Sequence, residues 1–204
     1  MLKVERFLNQ LMSSNCYLIV DEESRHCLCI DPGSEKSERE IAYINQNGLT
    51  LDYVILTHEH TDHNWGVNAL IESYSQAQVV CHKVCGEGIE EASSKYFRLY
   101  YDDECYSYKV SKTDITFSDN LFLLNWNNCS ITIEYTPGHS MGSVCVVINK
   151  MIFTGDTIMP YKTYINKHDG SKELYKKSIA YINNKYFKKG YLIEPGHGDP
   201  FLFQ

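Results

Sequence analysis

The segment Leu56-Thr57-His58-Glu59-His60-Thr61-Asp62-His63 places three histidines and an aspartate within six residues. Imidazole and carboxylate at this density suit zinc, iron or manganese. The cluster follows Leu51–Leu56, an apolar run short enough to be a buried strand. It precedes Val67, Leu70, Ile71 and Tyr74, which fall at helical spacing. A strand end fixes the backbone, so His58 and His60 can point together while Asp62 and His63 turn to the other side. That arrangement suits two adjacent metals rather than one; a solvated polar turn is the bland alternative. Three more loops carry such a side chain after an apolar strand. Ile131–Tyr135 leads to His139, Met151–Thr154 to Asp156, and Tyr191–Glu194 to His197. Glycine near each permits tight turns and close approach. His26, His82 and His168 lie elsewhere and read as surface or hydrogen-bonded residues.

These side chains need strands and turns to hold them. Asn15–Val20 and Cys27–Ile30 read as two strands about the polar turn Asp21–His26, and Asp31-Pro32-Gly33-Ser34 breaks the second. Ser37 and Glu40 have capping-box spacing for a helix ending at Gly48. Gly142–Ile148 and Met151–Phe153 predict a hairpin about Asn149-Lys150, followed by a helix near Lys172–Lys185 and a strand over Tyr191–Ile193. Ile41-Ala42-Tyr43-Ile44-Asn45 recurs letter for letter as Ile179-Ala180-Tyr181-Ile182-Asn183, and Tyr53 and Tyr191 keep the same offset of 138 residues. A duplicated plan accounts for this better than chance, and it predicts sheet packed on sheet with helices outside. Lys83–Lys112 fits the plan less well. Its Tyr96, Phe97, Tyr100, Tyr101, Tyr106 and Tyr108 either wall a substrate pocket or, the reading favoured, pack ring faces of a helix on the core.

The 204 residues fit one domain spanning 1–204, with 43% hydrophobic content and a net charge of −7. The acidic balance argues against a general nucleic-acid binder and against charge-held membrane attachment. No apolar run reaches the roughly 18 residues of a membrane-spanning helix. The N-terminus lacks a signal-peptide pattern, so a cytoplasmic protein is expected. In a reducing compartment its cysteines are small buried hydrophobes. Cys81 and Cys85 could bind metal, but no Cys-x-x-Cys pair accompanies them.

His58-x-His60-x-Asp62-His63, followed by His139, Asp156 and His197, resembles the metallo-β-lactamase superfamily. Asp31-Pro32-Gly33, Thr136-Pro137-Gly138-His139-Ser140 and Phe153-Thr154-Gly155-Asp156-Thr157 are similar to its small, glyoxalase II-like hydrolases. The resemblance runs from Asn15 through Asp199 and implies an α/β fold, an αββα sandwich of two mixed β-sheets flanked by helices. It implies that His58, His60 and His139 hold one divalent metal and Asp62, His63 and His197 a second, with Asp156 bridging. Zinc is the first expectation, iron or manganese the alternatives. Asp31 either orients a ligand from behind or simply shapes its turn.

Two metals about 3.5–4 Å apart can hold a hydroxide at neutral pH. Its attack on a carbonyl carbon would make the protein a hydrolase, with Asp62 as the catalytic residue that orients it or moves its proton. The resemblance favours a small thioester or ester as substrate. A lactonase, a mononuclear-iron persulfide dioxygenase using His58, His139 and Asp156, and a phosphodiesterase or nuclease are the rival enzymes. A metal-binding module without catalysis is the rival from another class. The expected partner is a small molecule, not nucleic acid or a membrane. After the bridging aspartate, relatives often carry a Gly-Arg-x-Asp-x-Pro-Gly type of segment. Here Met159–Lys167 takes its place, and Tyr161, Lys162, Tyr164 and Lys167 are the substrate-binding candidates. A lysine there could pair with a substrate carboxylate or phosphate; solvated surface lysine is the alternative.

Overall fold

Short, largely apolar strands form most of the secondary structure in the computed structural model, which describes residues 1–91 and 106–204. One six-stranded sheet comprises β1 (Leu2–Leu8), β2 (Asn15–Asp21), β3 (His26–Ile30), β4 (Thr50–Ile55), β5 (Gln78–His82) and β6 (Ile115–Phe117), adjacent in chain order. The other comprises β7 (Leu121–Trp126), β8 (Cys129–Tyr135), β9 (Val144–Ile148), β10 (Met151–Gly155), β11 (Leu192–Pro195) and β12 (Phe201–Leu202), again in chain order. Both sheets are mixed. β1 to β3 pair antiparallel and β3 to β6 parallel. In the second sheet β10 and β11 pair parallel while their neighbours pair antiparallel.

Alternation decides which layer each side chain joins. Tyr17, Ile19, Leu28 and Ile30 face the other sheet and meet Ile131, Ile133, Val146 and Phe153. The intervening Cys16, Leu18, Cys27 and Cys29 face outward, beneath Ile44 of α1 (Glu38–Gln46) and Leu70 of α3 (Val67–Ser73). Cys145, Val147, Ile152 and Ile193 lie under Ile182 and Tyr186 of α5 (Lys172–Tyr186). Two further helices, α2 (Thr61–Asn64) and α4 (Lys83–Glu90), complete the described set. A fully buried aliphatic side chain contributes about 1.5–3 kcal/mol, so β2 and β3 stabilise both layers they separate. The order is helix, sheet, sheet, helix, as the sequence predicted.

The duplicated plan is visible in the topology. The β2–β3 hairpin, α1, and β4 parallel to β3 are matched by the β9–β10 hairpin, α5, and β11 parallel to β10. The repeated pentapeptide lies in α1 and α5, and its Ile44 and Ile182 are both fully buried.

The capping box is a correction. Ser37 adopts a left-handed conformation (φ 42°) and its side chain does not cap α1. Its hydroxyl is taken by the carbonyls of Ser34 and Gly66, and Glu40 turns into the core with 1% exposure. Of the aromatic-rich stretch, Tyr106 and Tyr108 pack with Leu11 and Trp65 behind α2. Tyr96, Phe97, Tyr100 and Tyr101 lie outside the described residues. Among the described residues, no helix is long and apolar enough to cross a membrane.

Candidate metal centre

Every histidine and carboxylate singled out as a ligand follows a strand, and these strand ends meet at one edge of the sandwich. His58 and His60 follow β4, with His60 the N-cap of α2, which carries Asp62 and His63. The loops after β8, β10 and β11 supply His139, Asp156 and His197. Together with Met12, Tyr164, Asn166 and Asp169, five of the seven (His60, Asp62, His139, Asp156 and His197) line a cavity of about 140 Å³. His58 and His63 are buried behind it.

Two groups form. His58 Nε2 and His139 Nε2 lie 3.1 and 3.0 Å from His60 Nδ1, so three ring nitrogens converge. Asp62 Oδ2 lies 3.4 Å from His63 Nε2 and 3.3 Å from His197 Nε2. In each group the three candidate atoms lie within 4.8 Å of one another. Asp156 stands between them. Its Oδ2 is 3.5 Å from His139 Nε2 and 3.6 Å from His197 Nε2, and its Oδ1 is 3.6 Å from His63 Nε2.

The nitrogens facing away are held. His58 Nδ1 lies 3.0 Å from Thr57 Oγ1 and His139 Nδ1 2.9 Å from the Tyr164 carbonyl, while His60 Nε2 has Asp169 Oδ2 at an ion-pair distance of 3.5 Å. His63 Nδ1 lies 2.9 Å from Asp31 Oδ2. Such outward partners fix the tautomer and aim the other nitrogen inward. Asp31 is therefore more than a turn residue. It also accepts the Thr57 N–H at 2.8 Å and the Thr57 hydroxyl at 2.5 Å, so one buried carboxylate aligns both groups. Asp31, His58 and His63 also lie close enough to form a third cluster. Its histidine nitrogens on that side already have these hydrogen-bond partners, so it is scaffold.

Packing enforces the arrangement. A Cβ on Gly33 would collide with the Asp62 carbonyl, so the Asp31-Pro32-Gly33 turn approaches α2 as only glycine allows. Between His58 and His60, Glu59 reaches sideways, accepting from Ser140 Oγ at 2.8 Å and from the Gly142 N–H at 3.2 Å. That ties the His58 loop to the His139 loop.

The electrostatics suit cations. Burial and the surrounding imidazoles hold His58 well below the usual histidine range. Burial likewise lowers His139 to about 4, against the opposing pull of Asp156. Both are neutral donors at pH 7. Burial opposes charge on His63, yet Asp62, Asp31 and Asp156 outweigh it and raise it well above its usual value. Burial opposes charge on Asp62 as well, and His63 and His197 outweigh it to keep the carboxylate ionised. His63 Nε2 and Asp156 Oδ1 are buried without a hydrogen-bond partner. Buried polar atoms of this kind call for an explanation such as an ion. The donor set therefore fits a pair of divalent metals.

Other candidates fall elsewhere. Tyr161, Lys162 and Tyr164 line a separate groove, with Tyr164 also at the metal-type cavity, and Lys167 lines a small hollow between the two. His26 pairs with Asp52 at 2.8 Å, His82 is buried and stacked on Tyr135, and His168 is exposed. Asp169 and Thr57 were not singled out by sequence. Thr57 adjoins the cluster, but nothing local marks Asp169, whose contact with His60 joins residues more than 100 positions apart.

The two groups of histidine and carboxylate side chains, at one edge of an αββα sandwich, suit a dinuclear metal site. The sequence profile of the metallo-beta-lactamase superfamily matches residues 10–184, and the chain belongs to that superfamily, whose members are largely metal-dependent hydrolases. It is 31% identical over 154 residues to a hydroxyacylglutathione hydrolase of Francisella philomiragia, covering 74% of this chain and 50% of that protein. It thus spans about half the length of that relative. The BLEG-1 B3 metallo-beta-lactamase superposes with a TM-score of 0.83 at 21% identity, covering 98% of this chain and 94% of that one. TTHA1623, solved in a di-iron-bound form, superposes with a TM-score of 0.79 at 20% identity over 98% of this chain and 95% of that one.

Proposed function

We propose that the protein is a dinuclear metal-dependent hydrolase of a small thioester or ester. The observation that carries this reading is the position of Asp156, whose two oxygens face His139 and His197 on one side and His63 on the other. His58, His60 and His139 would hold one metal and Asp62, His63 and His197 the other, with Asp156 shared. Zinc suits this donor set, as do iron and manganese. Bound there, two divalent ions would lower the pKa of water towards about 7 and polarise a substrate carbonyl.

The protein's own groups complete the chemistry. Asp62 lines the cavity and is kept ionised, so its carboxylate can accept a hydrogen bond from the attacking water and orient it. Asp31, Thr57, Asp169 and the Tyr164 carbonyl keep the histidine lone pairs aimed inward. A thiolate leaves without help from a general acid, because a thiol is far more acidic than an alcohol. This supports a thioester ahead of an ordinary ester, as does the resemblance to hydroxyacylglutathione hydrolases.

Elemental analysis of the purified protein, paired with a screen of thioesters, lactones and phosphodiesters, tests the reading. Two metals per chain and thioester turnover are expected, and both are lost in Asp156→Ala. Full activity in a metal-free Asp156→Ala protein would refute the mechanism. Hydrolysis confined to phosphodiesters would overturn the substrate class, and a single iron with oxygen uptake would replace hydrolysis by oxygenation.

A further inference from the structure

Between α5 and residues 158–165 runs a groove of about 810 Å³, far larger than the 140 Å³ cavity at the candidate metal centre. Its floor is apolar, formed by Ile158, Met159, Ile165, Ile179 and Phe203, and its rim carries Lys162, Lys172 and Lys176. No aspartate or glutamate lines it. Among the described residues, none of these lysines has a carboxylate within ion-pair distance, whereas the neighbouring Lys177 and Lys185 pair with Glu173 and Glu134. In a chain of net charge −7, this is a local reversal of sign. Lys172 is moreover the first residue of α5, where the helix dipole disfavours a cation.

The groove adjoins the candidate metal centre. Tyr164 lines both cavities. A hollow of about 220 Å³ shares Asn166 with the metal-type cavity and Ile165 and Lys172 with the groove, and adds Lys167. A substrate whose carbonyl lies among the histidines therefore has adjoining space for its leaving arm.

We propose that this groove binds the thiol arm of the substrate, and that the arm is an uncharged chain ending in a phosphate, of the phosphopantetheine class. The proposal rests on the thioester reading above. An uncharged chain suits the apolar floor, and lysine ammonium groups suit a terminal phosphate. A peptide thiol such as glutathione fits worse, because its ammonium group would meet three lysines and no carboxylate along the groove.

Calorimetry on the metal-free protein, with pantetheine and phosphopantetheine as probes, reads the groove independently of catalysis. Phosphopantetheine is expected to bind at least about 10-fold more tightly, an advantage that shrinks as salt is raised. The double variant Lys172→Glu/Lys176→Glu, at two exposed positions, should abolish the advantage; circular dichroism checks its fold. Equal affinity for the two thiols, an advantage that survives the charge reversal, or tighter binding of glutathione would overturn the proposal. Turnover of acetyl thioesters by the zinc-loaded protein separates the two readings. Hydrolysis without a preference for the phosphorylated arm removes the groove assignment and leaves the hydrolase. Selective thiol binding without hydrolysis of any thioester removes the thioester reading, and with it the groove's role as a substrate site.

Discussion

Replacing Asp31 by asparagine changes one oxygen to an amide nitrogen and little else in shape. Asp31 is 2% exposed and three donors converge on it, from the Thr57 N–H, the Thr57 hydroxyl and His63 Nδ1. Its Oδ2 accepts two of them, and an asparagine NH2 at that place accepts none. The lowest-cost response is for His63 to change tautomer, so that Nδ1 accepts from the amide and the proton moves to Nε2. That proton then points at Asp62 and Asp156, where a metal ligand needs a lone pair. A charge-assisted hydrogen bond contributes about 1.5–3 kcal/mol. Loss of an orienting partner typically weakens metal affinity by about 10–100-fold, which converts to about 1.4–2.7 kcal/mol. The two routes agree on roughly 2 kcal/mol. Titration of metal-free protein with Zn2+ against a chromophoric chelator resolves the two equivalents. The equivalent held through His63 should weaken by about 10–100-fold. The other, touched only through Thr57 and His58, should change less. If both equivalents bind Asp31→Asn within about threefold of the parent protein, Asp31 does not orient His63 and the scaffold argument fails.

The same titration should show the converse for Asp169→Asn, with a loss of about 10–100-fold at the His58–His60–His139 group and little at the other; equal loss at both would contradict its placement behind His60. Gly138 has φ 147° and a Cβ there would strike the Tyr175 backbone of α5, so Gly138→Ala should destabilise the fold by about 1–3 kcal/mol and displace His139. Thermal unfolding with and without Zn2+ checks both effects, and an unchanged midpoint would show that the loop gives way freely. Burial lifts the Glu194 carboxyl to about 7. The folded state therefore keeps a proton that the unfolded chain releases, and stability falls as pH rises from about 4.5 to 7. Glu194→Gln should remove that slope and gain on the order of 1–3 kcal/mol at pH 8. Urea unfolding across this range decides it, since parallel profiles for the two proteins would exclude the linkage.

The layers were legible because the hairpin, helix and strand order occurs twice, which predicts sheet on sheet with helices outside, and strands buried on both faces read as continuous apolar runs. Tyr17 and Ile19 belong to one core and Cys16 and Leu18 to the other. The candidate ligands were legible because each follows an apolar strand, and a strand end is a place the sequence marks. Contacts between distant segments carried no such mark. Ser37 has the spacing of an N-cap, but the carbonyls of Ser34 and Gly66 compete for its hydroxyl, and the second of these belongs to a different element. Asp169 reads as one more polar residue before a helix until the fold brings it against His60. The lysine-rimmed groove was half visible, through Tyr161, Lys162 and Tyr164. Lys172 and Lys176 fall within the helix expected near Lys172–Lys185, and nothing local in the sequence places them at the groove.

The repeat explains the scaffold and also why its two halves do different work. Asp31 and Asp156 each directly follow the second strand of a hairpin, β3 and β10. In the first half the left-handed conformation falls on the aspartate itself, with φ 55° at Asp31. Its carboxylate lies against the Thr57 backbone, behind the histidines. In the second half it falls one residue earlier, with φ 47° at Gly155, and Asp156 lines the cavity. The glycine is required there for a second reason, because a Cβ would meet the Thr57 side chain. A one-residue difference in where the chain reverses thus turns equivalent aspartates into an orienting residue on one side and a candidate bridging ligand on the other.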